Sequence, residues 1–276
     1  MRLLIALAAG SVSLAVPSAG PVDHASAFLA AHRQPDGGFA EPGQRSTSSL
    51  TAWAVLGLAA AGRGTAGAGE YLAGKPTADA TDIALRALAL RALGRAADDE
   101  IARLEQLRRR DGRIGPLVNS TVWGVLALRA AGHPAGTTTV RYLRRRQARS
   151  GGWSWAPRGA PDTNDTAVAV EALRAAGVPS RDRAVRRGLA YLRRLRNRDG
   201  GFPLVRDRAS DAQSTSWALQ AFAAAGRRPP PKARTYLLRL QRPDGSFRYS
   251  ARYAVTPVWV TAQVVPALAG RPFPLR

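Results

Sequence analysis

The residues best equipped for chemistry in this chain stand together in Asp162-Thr163-Asn164-Asp165-Thr166-Ala167. Two carboxyl groups three positions apart can hold or pass a proton, which makes Asp162 and Asp165 the candidate general acids. Asn164 stands between them, and an amide has no proton of usable acidity to give. Elsewhere such residues are sparse. The chain has no cysteine, so nothing in it depends on a disulfide, a thiol nucleophile or a thiolate metal ligand. His24, His32 and His133 are the only histidines, no two of them form a ligand pair at helical spacing, and neither a metal nor another cofactor is expected.

The aspartate cluster has counterparts along the chain. Ser49-Leu50-Thr51, Thr81-Asp82, Asn119-Ser120-Thr121, Gln213-Ser214-Thr215 and a divergent Val255-Thr256-Pro257 each open an apolar segment, as Asn164-Asp165-Thr166 does. Those segments close at Gly62, Gly94, Gly132, Gly177, Gly226 and Gly270. Polar groups at such starts accept from the free amides of a helix N-terminus, so capping explains most copies where acid catalysis could explain one. Trp53, Trp123, Trp217 and Trp259 follow their clusters by two residues and are expected in one layer. That layer either lines a lumen, beside Asn119, Asn164 and Gln213, or packs between helices.

A second cassette precedes each cluster: an aromatic-leucine pair, then a glycine turn nine residues after the aromatic. It reads Phe28-Leu29 to Gly37-Gly38-Phe39, Tyr142-Leu143 to Gly151-Gly152-Trp153, Tyr191-Leu192 to Gly200-Gly201-Phe202, and Tyr236-Leu237 to Gly245-Ser246-Phe247. A weaker copy keeps Leu104 and Asp111-Gly112, and one near Tyr71-Leu72 has lost its turn. Periodic units of this length stack on copies of themselves. The segment after each cluster is apolar almost all round and is read as an inner helix. The segment before each turn has an apolar stripe among arginines and is read as an outer helix. Six of each close into a ring, which predicts an all-α fold: a single α/α toroid of six helical hairpins over residues 21–276.

The cassette Lys232-Ala233-x-x-Tyr236-Leu237-x-x-x-Gln241 followed by Gly245-x-Phe247 resembles the glutamine-tryptophan repeat of squalene and oxidosqualene cyclases, and more broadly the prenyltransferase/squalene-oxidase repeat. The resemblance implies the same toroid and a structural role for the repeat residues, here Gln147, Gly152, Trp153, Gly200, Gln241 and Gly245. Residues 162–167 are similar to the Asp-x-Asp-Asp-Thr-Ala segment of class II terpene cyclases, whose middle aspartate protonates the substrate. Asn164 occupies that place. Two carboxylates among helix N-termini are expected to be ionised, the wrong state for a Brønsted acid. Two function classes stay open. One is a non-catalytic toroid with a hydrophobic central cavity for an isoprenoid-like ligand; the other is a terpene cyclase or prenyltransferase-type enzyme.

Residues 1–20 pair Arg2 with a short apolar stretch and a Pro-Ser-Ala-Gly end, which predicts a signal peptide and a secreted or envelope-associated product. The net charge of +22 comes almost wholly from arginine, since Lys75 and Lys232 are the only lysines. No base-reading or stacking element accompanies it, so no nucleic acid is expected. An anionic cell envelope is the electrostatic partner that an exported chain of this charge would meet.

Overall fold

The computed structural model describes residues 19–75 and 77–275; the leader predicted over 1–20 falls almost wholly outside them. Among the described residues there are twelve α-helices and no strand, only isolated bridges. The inner helices are α2 (Ser48–Ala60), α4 (Ala80–Ala92), α6 (Val118–Ala130), α8 (Thr163–Ala175), α10 (Ala212–Ala224) and α12 (Pro257–Ala269). The outer helices are α1 (Pro21–Ala31), α3 (Ala68–Ala73), α5 (Asp98–Gln106), α7 (Thr137–Arg146), α9 (Arg183–Leu195) and α11 (Ala233–Arg239). Each inner helix packs between two others, and α12 packs on α2, which closes the ring. All six inner helices are 13 residues long, so their ends fall in register at two mouths.

The helix starts lie slightly upstream of the polar clusters. Thr47, Asp79, Asp162 and Asp211 are the residues whose side chains accept from first-turn amides. Ser49, Thr81, Asn119, Asn164 and Gln213 therefore sit second inside their helices, freed from capping. The cluster threonines do something else. Thr51, Thr121, Thr166, Thr215 and Thr261 accept from the backbone N–H of Phe39, Ile114, Trp153, Phe202 and Phe247, pinning each turn's apolar side chain into the wall between inner and outer helices.

The glycine turns abut the next outer helix. Gly200 has φ +93°, and a Cβ there would lie 2.6 Å from Lys232 Cβ. At the seam between last and first repeats, a Cβ on Gly245 would strike the His24 carbonyl oxygen. Gln147 Nε2 donates to its own turn at Gly151 O and to Ala184 O of α9, both at 2.8 Å. Gln241 Nε2 repeats this across the seam, to Gly245 O at 3.2 Å and Pro21 O at 2.7 Å. Arg196, in the glutamine place of the intervening repeat, reaches Pro231 O at 3.2 Å. Trp153 is fully buried and its indole N–H donates to Leu143 O at 2.7 Å. Behind it, a side chain on Gly152 would strike Pro161 and Thr166. The repeat that lost its turn is braced by Arg86 of α4, which donates to Lys75 O and pairs with the buried Glu100.

Candidate ligand pocket at the ring mouth

At the N-terminal ends of the inner helices the ring opens into a pocket of about 390 Å³. Its floor is Trp53, Trp123 and Trp217, carried by the alternate helices α2, α6 and α10. Their rings meet edge to face around the ring axis, with centroids 5.4, 5.5 and 5.7 Å apart. The layer both points into the lumen and packs, because three indoles from alternate helices are large enough to fill a six-helix ring. Phe273 enters from the opposite mouth and packs under all three at tilted to edge-on angles, with centroids 5.9 to 6.3 Å away. The lumen is thus closed at mid-height, and the central cavity expected from sequence is divided into this pocket and one of about 440 Å³ at the opposite mouth, lined by Glu171, Ala224 and Phe273.

Trp259 is not in this layer. It is half-buried, lines the pocket wall, and stands two residues before the anchoring Thr261, whereas Trp53, Trp123 and Trp217 follow their threonines by two. The last repeat is shifted by one helical turn relative to the register read from Val255-Thr256-Pro257. Gln263 occupies the tryptophan position, and its Oε1 accepts from the Trp217 indole N–H at 3.1 Å.

The pocket walls come from loops as well as helices. Trp155 and Leu204 reach over it from the segments ahead of α8 and α10. Each lies two residues after a turn aromatic, and its carbonyl accepts from the start of the preceding inner helix: Trp155 O from Val118 and Asn119, Leu204 O from Thr163. Tyr249 O does the same for Ala212. At the seam the task passes to a side chain, Glu41, which accepts from Val258 and Trp259. This recurrence at two residues past the turn was present in the sequence as position but not as residue type, which is why Trp155 and Leu204 were not singled out there.

Polar groups face the aromatic floor. Asp162 Oδ1 accepts from the Asp165 amide at 2.8 Å, and Asn119 Nδ2 donates to Asp165 Oδ1 at 2.7 Å. Burial, reinforced by the neighbouring Asp162 charge, pushes the Asp165 carboxyl up to about 8. Burial also raises Asp162, opposed by hydrogen bonds from Asp165 and the first-turn amides. In both carboxyls burial is the dominant influence, and it favours the neutral form. That direction runs against the expectation from the helix N-termini alone, because desolvation under the aromatic rim opposes their field. Asn164 Oδ1 and Gln263 Nε2 are buried without a protein partner, leaving one acceptor and one donor for a bound molecule. Gln213 also lines the pocket. No group of histidines and carboxylates able to hold a metal occurs among the described residues.

The family model described as squalene-hopene cyclase C-terminal domain matches residues 128–258. No curated protein matches the chain. Among solved structures, a protein from Actinoplanes is 20% identical, with a TM-score of 0.68 over 91% of this chain and 98% of its own. The type II terpene cyclase MstE from Scytonema is 18% identical, with a TM-score of 0.66 over 90% of this chain and 96% of its own. A variant of MstE in complex with geranylgeranyl dihydroxybenzoate is 16% identical, with a TM-score of 0.67 over 91% and 96%. The chain has the squalene cyclase-like α/α toroid fold, and at these identities the likeness establishes the fold.

Proposed function

We propose that this squalene cyclase-like toroid is an exported, non-catalytic binding domain whose mouth pocket takes the end of an isoprenoid-like ligand carrying a small polar group. The observation that carries the reading is the filled lumen. Trp53, Trp123, Trp217 and Phe273 occupy the axis, so what remains is a separate pocket at each mouth, the aromatic one at the low end of ligand-site volumes, rather than a chamber that encloses a long chain. The unpaired Asn164 Oδ1 and Gln263 Nε2 suit a hydroxyl on that ligand. The MstE complex holds a geranylgeranyl compound, which supports an isoprenoid as the class to try first. An anionic envelope is the proposed setting for a chain of charge +22.

Titration with geranylgeraniol, followed by tryptophan fluorescence and native mass spectrometry, tests the binding claim. A saturable one-to-one complex, weakened about tenfold by Trp259→Ala, is expected. Absence of a saturable complex overturns it. Export is tested by intact mass from a secreting host, where loss of roughly fifteen to twenty residues is expected.

A second reading rests on Asp165, whose raised pKa supplies a neutral carboxylic acid over an aromatic floor. In it Asp165, with Asp162, would be the proton donor of a class II cyclase in place of the missing middle aspartate. Incubation with squalene, oxidosqualene and geranylgeranyl diphosphate distinguishes the two. We expect no cyclised product, and cyclisation abolished by Asp165→Asn would establish the second reading.

A further inference from the structure

One turn below the tryptophan floor the lumen changes character on one side. Three residues on from Trp53, Leu85, Trp123, Val168 and Trp217, on the same helix face, stand Leu56, Leu88, Leu126, Glu171 and Gln220, all buried. Three helices carry leucine at this position, and the neighbours α8 and α10 carry a carboxyl and an amide. Of the four polar atoms that these two side chains bring in, Glu171 Oε2 accepts from the Phe273 N–H at 2.8 Å. Glu171 Oε1, Gln220 Oε1 and Gln220 Nε2 are buried with no protein partner. Stranding polar groups in this way lowers stability, and leucine at both positions would pack on the Phe273 ring without that penalty. Holding the C-terminal segment therefore does not account for the pair. The pocket of about 440 Å³ at this mouth leads to it, since Glu171 is part of the lining together with Ala175, Ala223 and Pro272.

We propose that Glu171 and Gln220 form a second ligand site, entered from this mouth, for a small neutral aromatic compound carrying amide groups, and that Phe273 is its resident stand-in. The seated segment supplies the template: an aromatic ring under Trp53, Trp123 and Trp217, and one backbone amide on Glu171. A free compound with such a ring and two amides keeps both contacts. It adds what the segment lacks, an N–H for Gln220 Oε1 and a carbonyl for Gln220 Nε2. A neutral ligand is the better match, because burial favours the uncharged Glu171 carboxyl, and Arg174 and Arg271 in the pocket lining repel an ammonium. Since Phe273 holds the ring position, ligand entry and release of the segment are one event. The tryptophan floor separates this site from the pocket at the other mouth, so the two readings stand or fall independently.

The test is calorimetry on full-length chains with N-acetylphenylalaninamide, and with ethylbenzene as the ring alone. Phe273→Ala vacates the ring position and should bind the amide about tenfold more tightly than ethylbenzene, the difference that one or two net hydrogen bonds make. Adding Gln220→Leu should abolish that preference while ethylbenzene still binds, and adding Trp259→Ala, at the other mouth, should leave it unchanged. In the native chain, saturating amide should displace the segment and speed hydrogen exchange at the Phe273 N–H. Gln220→Leu alone should leave the native chain at least as stable. Equal affinity for the two probes, or a preference that survives Gln220→Leu, would overturn the proposal by leaving only an apolar cavity. No binding to Phe273→Ala, with Phe273 exchange in the native chain unmoved by the probe, would overturn it by making the segment a fixed plug. A lower melting point for Gln220→Leu alone would overturn it by assigning that amide to the fold.

Discussion

Glu41 Oε1 accepts from the amide of Trp259 at 2.9 Å, and Glu41 Oε2 from the amide of Val258 at 3.0 Å, although more than two hundred residues separate them. The first and last repeats are joined here by a carboxylate where three other neighbouring pairs use a loop carbonyl. An aliphatic residue at 41 would leave the start of α12 with two amides unmet, one of them buried.

Glu41→Ala should therefore destabilise the ring by about 2 to 4 kcal/mol, the cost of stranding such donors. Glu41→Gln keeps one acceptor and should lose less. Thermal denaturation checks this, with the exposed Glu105→Ala as the neutral comparison; equal midpoints for all three would remove Glu41 from the seam.

Asp165 makes a pH prediction. A carboxyl whose folded pKa of about 8 lies above its ordinary value of about 3.9 takes up a proton on folding. Its neutral form is fully present at pH 4, and stability is lost as the pH rises toward 8. Asp211, raised by burial to about 6, adds to the same trend over a narrower range. Asp165→Asn keeps an acceptor for Asn119 and a donor toward Asp162. It should leave the melting point nearly unchanged at pH 4 and raise it at pH 8 by at least about 1 kcal/mol, roughly 2 to 4 °C. A variant less stable than the native chain at pH 8 would contradict the neutral assignment.

Phe273 is the lumen's lower plug, held by its own N–H donating at 2.8 Å to Glu171, a fully buried residue whose carboxyl burial pushes well above the usual range. Phe273→Ala should cost about 3 to 5 kcal/mol in unfolding free energy. It should also open space beneath the tryptophan layer, read as a new apolar site for a small aromatic probe in calorimetry. Loss of stability without that site would mean that the tryptophans collapse into the gap.

Gly200→Val should destabilise by several kcal/mol, since it combines a positive φ with a Cβ set against Lys232. The comparison is Arg183→Ala, an exposed arginine, expected within about 0.5 kcal/mol of native. Arg193 is a poorer comparison because its guanidinium lies 4.9 Å over the Phe222 ring. Denaturant melts of both variants decide it.

The ring itself was legible in the chain because repetition is local: Tyr142-Leu143 with Gly151-x-Trp153, and its copies, state one hairpin several times over, and identical hairpins have few ways to stack. The same local patterns marked Asp162, Asn164, Asp165, Asn119 and Gln213 as mouth residues, since helix starts in a ring must gather at one end. What tertiary structure alone decided was distance across the axis. Whether Trp53, Trp123 and Trp217 leave a lumen or fill it depends on the width of the ring, which no single repeat encodes. The register of the last repeat depended on Thr261 finding the Phe247 amide rather than on the more conspicuous Thr256-Pro257. The upward push on the Asp165 carboxyl likewise depends on burial under loops from neighbouring repeats, a sum over distant residues. Phe273 carried no periodic signal because it belongs to no repeat, and its place under the tryptophans follows from where the ring leaves space.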